Sequence, residues 1–280
     1  MRASTTNGGA RNPMEAGGRF SVVHDDEHVV VVEKSTGVLT VPTPRGETNT
    51  LVQLLRRHLG RGRRFPPRLE IVHRLDREVS GLLVFAKSVA AATTLRADFA
   101  AHRPEREYIA LVAGALPADK GTFASRLVTG KSLQRYSTDD PTRGEAAVTH
   151  YQVERRLAGA TLVRVRLETG RRNQIRVHFA EAGHPILGED RYHPEQARHP
   201  RWRARRLALH ARLLGFAHPL SGQPLRFESP LPMEFVRFLR DAGEPRAAPA
   251  RPRPLPPEPP PRPRQPLRPG ARPGRKGRRT

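Results

Sequence analysis

Short apolar runs broken by Gly, Pro and Asp recur along most of this chain, and only a few stretches carry helical spacing. That pattern excludes a helical bundle, and it lacks the regular strand–helix alternation of a parallel doubly wound sheet. FSVVHDDEHVVVVEK predicts two strands around an Asp25-Asp26 turn, and KSTGVLTVP a Gly bend and a short strand stopped by Pro42. Further strands are expected near Leu69–Val72, at Gly81–Ala86, around Tyr108 to Val112, and over 121–127 and 146–157. ATLVRVRLE alternates most clearly, with Val163, Val165 and Leu167 on one face. LALHARLLGFAHP and PLRFESP form a hairpin joined near Ser221-Gly222. The expected helices are four. TNTLVQLLRRHLG is capped at Thr48 or Thr50 and stopped at Gly60, and an Ala-rich segment runs from Ser88 to about Ala101. NQIRVHFAEAGH is capped by Asn173, with Ile175 and Phe179 on one face of an amphipathic helix, and MEFVRFLRDAG closes the series. Residues 189–206 form a polar, Arg-rich loop or short helix around Trp202. The fold class is α+β, with a mixed, largely antiparallel central sheet flanked by helices.

Composition bounds the folded part. Residues 1–18 are rich in Gly, Ser, Thr and Asn and are expected to be disordered, leaving a folded domain over 19–243. Residues 244–280 hold eleven Lys and Arg against two Glu, with abundant Pro and few large apolar residues, and are expected to form a disordered, polyproline-like basic tail. Such an arm either contacts nucleic acid or is simply solvated.

The net charge is +23, carried almost wholly by arginine. Arginine grips phosphate with a two-pronged fork and stacks on bases, which points to a nucleic-acid partner. There is no cysteine, which removes disulfides and thiolate chemistry and fits a cytoplasmic location. No apolar run is long enough to cross a membrane, and no histidine sits at metal-ligand spacing, so neither a membrane nor a metal partner is expected.

Against that background His73-Arg74-Leu75-Asp76 stands out. It sets one carboxylate in a basic turn before a buried strand, where neighbouring cations hold it ionised at a polyanion-binding surface. By itself such an aspartate, between Arg74 and Arg77, would more often be a surface ion pair.

Five segments in order resemble the RluA family of RNA pseudouridine synthases: VVEKSTGVLTVP, VHRLDREVSGLLVFAKS, REYIALVAG, GRRNQIRVHFAEAGHPILGEDRYH and LALHARLLGFAHPLSGQPLRFESPLP. The resemblance runs from about residue 19 to 240. It implies the pseudouridine synthase fold and a cofactor-free isomerase that converts uridine to pseudouridine in ribosomal or transfer RNA. Asp76 would be the catalytic carboxylate, Arg176 its ion-pair partner, and Tyr108 the ring that stacks the flipped base. Arg74 would fill the space the base vacates, and His73, Arg171 and Arg172 complete the expected substrate-binding set, although His73 and His178 also suit structural hydrogen bonding. The cluster of Arg164 and Arg166 with these residues suggests phosphate contact. Two positions depart from the family pattern: a small hydroxyl residue and a histidine are replaced by Arg172 and Asn173. The S4 RNA-binding module that often precedes this core is not expected, and the protein is expected to act as a monomer. The rival readings are a non-catalytic RNA-binding or ribosome-assembly factor, and a glycosidase-like hydrolase using Glu78 as its second carboxylate.

Overall fold

The computed structural model describes residues 18–243, apart from residues 66, 131 and 133. The expected disordered N-terminus and basic tail lie outside the described residues, save Gly18 at the domain's edge. Eleven strands form one sheet. They are β1 (Phe20–Asp25), β2 (Val29–Lys34), β3 (Glu70–Ile71), β4 (Ser80–Ala86), β5 (Glu105–Ala113), β6 (Lys120–Thr129), β7 (Arg135–Thr138), β8 (Glu145–Leu157), β9 (Ala160–Leu167), β10 (Leu209–Ala217) and β11 (Pro224–Glu228). The order across the sheet is β1-β2-β4-β10-β5-β9-β8-β6-β7, with β11 paired to β10 and β3 to β4. Every pairing between these strands is antiparallel except β4 with β10, so the sheet is mixed and largely antiparallel.

The helices are α1 (Leu51–Leu59), α2 (Val89–Ala100), α3 (Gln174–Glu181) and α4 (Met233–Asp241). Strand alternation sorts the core into layers. Val30, Val32, Leu83 and Phe85 join Leu51 and Leu55 of α1 in one cluster. Val29, Val31, Leu82 and Val84 join Ala91, Ala92 and Leu95 of α2 in a second. Because helices cover both faces here, VVVVEK and SGLLVFA read as continuous apolar runs. Asp26 closes the β1–β2 turn by accepting the backbone N–H groups of His28 and Val29 at 2.8 Å each. The hydroxyl of Ser88 caps α2 by accepting the N–H of Ala91.

Three expectations are corrected. The segment after Lys34 is no strand. It is an irregular loop: its Leu39 and Thr40 carbonyls accept the N–H groups of Leu51 and Val52, and the Thr40 hydroxyl donates to the Leu75 carbonyl at 2.7 Å, bracing the Asp76 loop. β7 escaped the sequence reading because four polar-leaning residues on an edge carry no apolar alternation. Helix α3 is not amphipathic: every residue from Gln174 to Ala180 is buried. Asn173 does precede it but does not cap it. It adopts a left-handed conformation (φ 57°) and gives its amide to the Tyr192 hydroxyl at 3.0 Å.

The parallel β4–β10 contact depends on Gly81. Its φ is +117°, and an added Cβ would lie 2.1 Å from the Ala211 carbonyl oxygen. Gly81→Ala should therefore destabilise the domain by more than about 2 kcal/mol, read as a lowered midpoint in thermal unfolding.

Candidate active site

The turn 72–79, the end of α2, the Tyr108 face of β5 and the start of α3 together wall a cleft of about 720 Å³. Asp76, Tyr108, Arg74, His73, Arg171, Arg172 and Arg176, residues distant in sequence, all line it. Arg106 and Arg135 line it as well. The cleft is thus strongly cationic, with Asp76 at its base, and suits a polyanion that brings one group into contact with a single carboxylate.

Asp76 accepts no side-chain hydrogen bond from the described residues. Its carboxyl is pushed above the ordinary aspartate value, because burial outweighs the attraction of Arg176, Arg74 and Lys34 while Glu78 adds repulsion. The sequence implied a direct ion pair with Arg176. Instead, the Arg176 guanidinium acts on Asp76 through space. Its hydrogen bonds go to Glu189 (Nε to Oε2, 2.6 Å; Nη2 to Oε1, 2.5 Å), to Glu78 at 3.2 Å and to Asp190 at 3.2 Å. Arg176 is 1% exposed and its ring neighbour Tyr192 lies 5.6 Å from the guanidinium carbon. A buried cation demands a buried partner, and Glu189, whose side chain is fully enclosed, meets that demand with a forked pair. Glu189 was missed in the sequence, where it is one acid in a polar loop.

Helix α3 is aimed by Gln174. Its amide nitrogen donates to the Val148 carbonyl and the Thr149 hydroxyl, and its oxygen accepts from Thr169 and the Arg171 backbone N–H. His178, on the next turn, bonds Thr149 and Ser125 and stays neutral, its burial lowering its pKa to about 4. It is structural. So in large part is His73: its ring stacks on Phe99 at 4.5 Å, and its Nε2 accepts the Val84 N–H. Burial, helped by Arg106, lowers its pKa to about 3, so it faces the cleft as a neutral ring with its proton on Nδ1.

Lys34 props the turn that carries Asp76. Its fully buried ammonium donates to the carbonyls of Ser35, Val38 and Arg77, the last adjacent to Asp76. Burial lowers its pKa to about 7, although Asp76 and Glu78 pull the other way.

Tyr108 is buried with its ring in the core and its edge in the cleft. Burial raises its hydroxyl pKa, so it is a neutral phenol that offers a flat ring. Arg74 is exposed at the mouth. Arg171 is braced at the rim by Glu145 and the Ala146 carbonyl. Arg164 and Arg166 do not join them. Their registers pair them with Ile109 and Glu107, on the sheet face opposite Tyr108, where they form a ladder with Glu154, Glu107 and Glu105. Trp202 packs edge-on against Phe235 and Phe238, and its indole N–H donates to the Arg206 carbonyl. Among the described residues no cluster of His, Asp or Glu could hold a metal ion, and no helix is long and apolar enough to cross a membrane.

The family model described as RNA pseudouridylate synthase matches residues 28–181. The ribosomal large subunit pseudouridine synthase D of Zymomonas mobilis is 38% identical over 223 residues, covering 77% of this chain and 70% of that protein. Its counterpart from Pseudomonas aeruginosa is 35% identical over 230 residues, covering 79% and 71%. An uncharacterised RNA pseudouridine synthase of Bacillus subtilis is 36% identical over 224 residues, covering 79% and 72%. The solved structure of human RNA pseudouridylate synthase domain containing 4 shares the fold, with a TM-score of 0.65 at 23% identity over 78% of this chain and 91% of that one. The chain is therefore an RNA pseudouridylate synthase, an isomerase of RNA uridines. Within that class it belongs to the RluA family.

Glu189→Gln removes the enclosed, forked counter-charge of Arg176 and leaves only the longer contacts to Glu78 and Asp190. It should cost about 3–5 kcal/mol of stability, read by denaturant unfolding, whereas the exposed Arg74→Ala should cost less than about 0.5 kcal/mol.

Proposed function

We propose that this enzyme isomerises uridines of large-subunit ribosomal RNA, with Asp76 as its catalytic carboxylate. The substrate class rests on the curated relatives named above. The assignment of Asp76 rests chiefly on one observation: an unbonded carboxylate in a cleft lined by six arginines, with a buried guanidinium acting on it.

The residues account for the steps. The cationic rim holds the phosphates, and the target nucleotide leaves its stack at a cost of a few kcal/mol. Arg74 fills the vacated space and Tyr108 receives the uracil face. The N1–C1′ bond breaks with its electron pair on the uracil. The same pair returns through C5 to C1′, the C5 proton leaves and N1 takes one up, so the formula is unchanged. No external oxidant or reductant is required. A single carboxylate serves this sequence, whether it bonds C1′ or takes a proton from C2′. The covering base dries the site and would push the Asp76 pKa further up; Arg176, fixed by Glu189, opposes that and keeps the carboxylate charged. A hydrolase would need a second free carboxylate, but the nearest, Glu78, is engaged by Arg176.

We further assign the catalytic domain to residues 19–243, the enzyme to the cytoplasm as a monomer, and the basic segment 244–280 to non-specific capture of RNA.

Pseudouridine mapping of ribosomal RNA tests the reading. Cells lacking the gene should lose modification at discrete large-subunit uridines. Wild-type enzyme should restore it. Asp76→Asn should not, with conversion down about 10³-fold or more and RNA affinity within about threefold of wild type. Retained conversion by Asp76→Asn would overturn the assignment.

A further inference from the structure

Arg106 is the least satisfied of the buried cations that line the cleft. It precedes Tyr108 by two residues on β5, so both side chains leave the same face of the sheet. Its side chain is enclosed, at 9% exposed, between the Phe99 ring, 5.4 Å from the guanidinium carbon, and Gly170. A Cβ at residue 170 would come within 2.6 Å of Nη1, so the glycine leaves the guanidinium its present room. Of the five N–H donors of the guanidinium, the described residues take one: Nη2 donates to the Glu168 carbonyl at 3.0 Å. Nε is buried without any partner, and Nη1 has none either. No carboxylate forms an ion pair with Arg106 among the described residues, in contrast to Arg176 and Arg135, which pair with Glu189 and Glu145. Leaving a guanidinium buried and unpaired is costly, so its free donors are held for a ligand of the cleft. Its charge reaches both His73 and Tyr108.

A phosphate would be met at the rim, where Arg74 is exposed and Arg171 half-buried. Arg106 is enclosed beside the stacking ring, where the flipped base itself must lie. Uracil offers two carbonyl oxygens there, and these gain negative charge when the N1–C1′ electron pair stays on the detached ring. We propose that Arg106 is a catalytic residue that touches the substrate: its free guanidinium donors bind a uracil carbonyl oxygen and stabilise the uracil anion formed between bond cleavage and rejoining through C5. This deepens the reading above and rests on it. The electron pair released at N1 is delocalised onto that oxygen, held there while the ring turns, and returned from C5 to C1′. Arg106 gives up no proton, so the balance is unchanged. Donors aimed at developing charge in an enclosed site contribute most in the transition state and little to ground-state binding.

The test compares wild type, Arg106→Lys, Arg106→Met and Asp76→Asn on one RNA, by single-turnover conversion at saturating enzyme and by RNA binding across salt. Conversion by wild type but not by Asp76→Asn keeps the parent reading in place, so that the Arg106 variants report on Arg106 alone. Arg106→Met should lower the single-turnover rate by about 10²–10³-fold, with affinity within threefold and an unchanged salt slope, and Arg106→Lys should recover part of the rate. Replacing the target uridine by 5-fluorouridine, whose base is the better leaving group, should shrink the Arg106→Met defect in the rate of uridine consumption; a purely structural role would slow both substrates alike. An unchanged rate, a loss confined to affinity and salt slope, or an equal defect on both substrates would each overturn the proposal.

Discussion

A guanidinium sealed inside the domain, Arg176, organises the rest of the site. Left alone, such a charge could not be buried. The forked pair with Glu189 makes it tolerable, and the contacts to Glu78 and Asp190 use two of its other three donors. Because these partners fix its position, the guanidinium meets Asp76 as a field and not as a hydrogen-bonded mate. The carboxylate therefore keeps both oxygens free of hydrogen bonds from side chains of the described residues. A direct Asp76–Arg176 pair would hold the charge more firmly but would occupy those oxygens.

The surroundings follow from that division. Gln174 anchors the start of α3 to β8, which aims Arg176. Lys34 and Thr40 hold the backbone of the turn carrying Asp76 through carbonyls, leaving its side chain untouched. Buried histidines at positions 73, 178 and 210 are all kept neutral by desolvation, so they add shape and hydrogen bonds without adding charge. Six arginines line the cleft against two acids, Asp76 and Glu145. Those on the opposite face, Arg164 and Arg166, are cancelled by glutamates.

Much of this was legible in the chain. Turn residues and apolar runs located ten of the eleven strands and all four helices, and the ordered segments singled out Asp76, Tyr108 and Arg176. What escaped has physical causes. β7 is short, polar and at an edge, so it leaves no periodic trace. The helical spacing of Ile175 and Phe179 suggested one apolar face, but α3 is enclosed on every side, and its polar residues are buried with partners supplied by distant strands. Glu189 and Arg106 look like surface charges in sequence because their burial is created by tertiary packing. The left-handed backbone at Asn173 fits that residue type, yet its bond to Tyr192 depends on a loop nineteen residues away.

Direct titration of the Asp76 carboxyl by carbon NMR tests the central claim best, in wild type and in a variant combining Arg176→Met with Glu189→Leu, which removes the pair without stranding a charge. Asp76 should titrate above the ordinary aspartate value in wild type, and higher still in the variant, where the opposing guanidinium is gone while burial remains. An Asp76 pKa that is unchanged or lower in the variant would contradict the account.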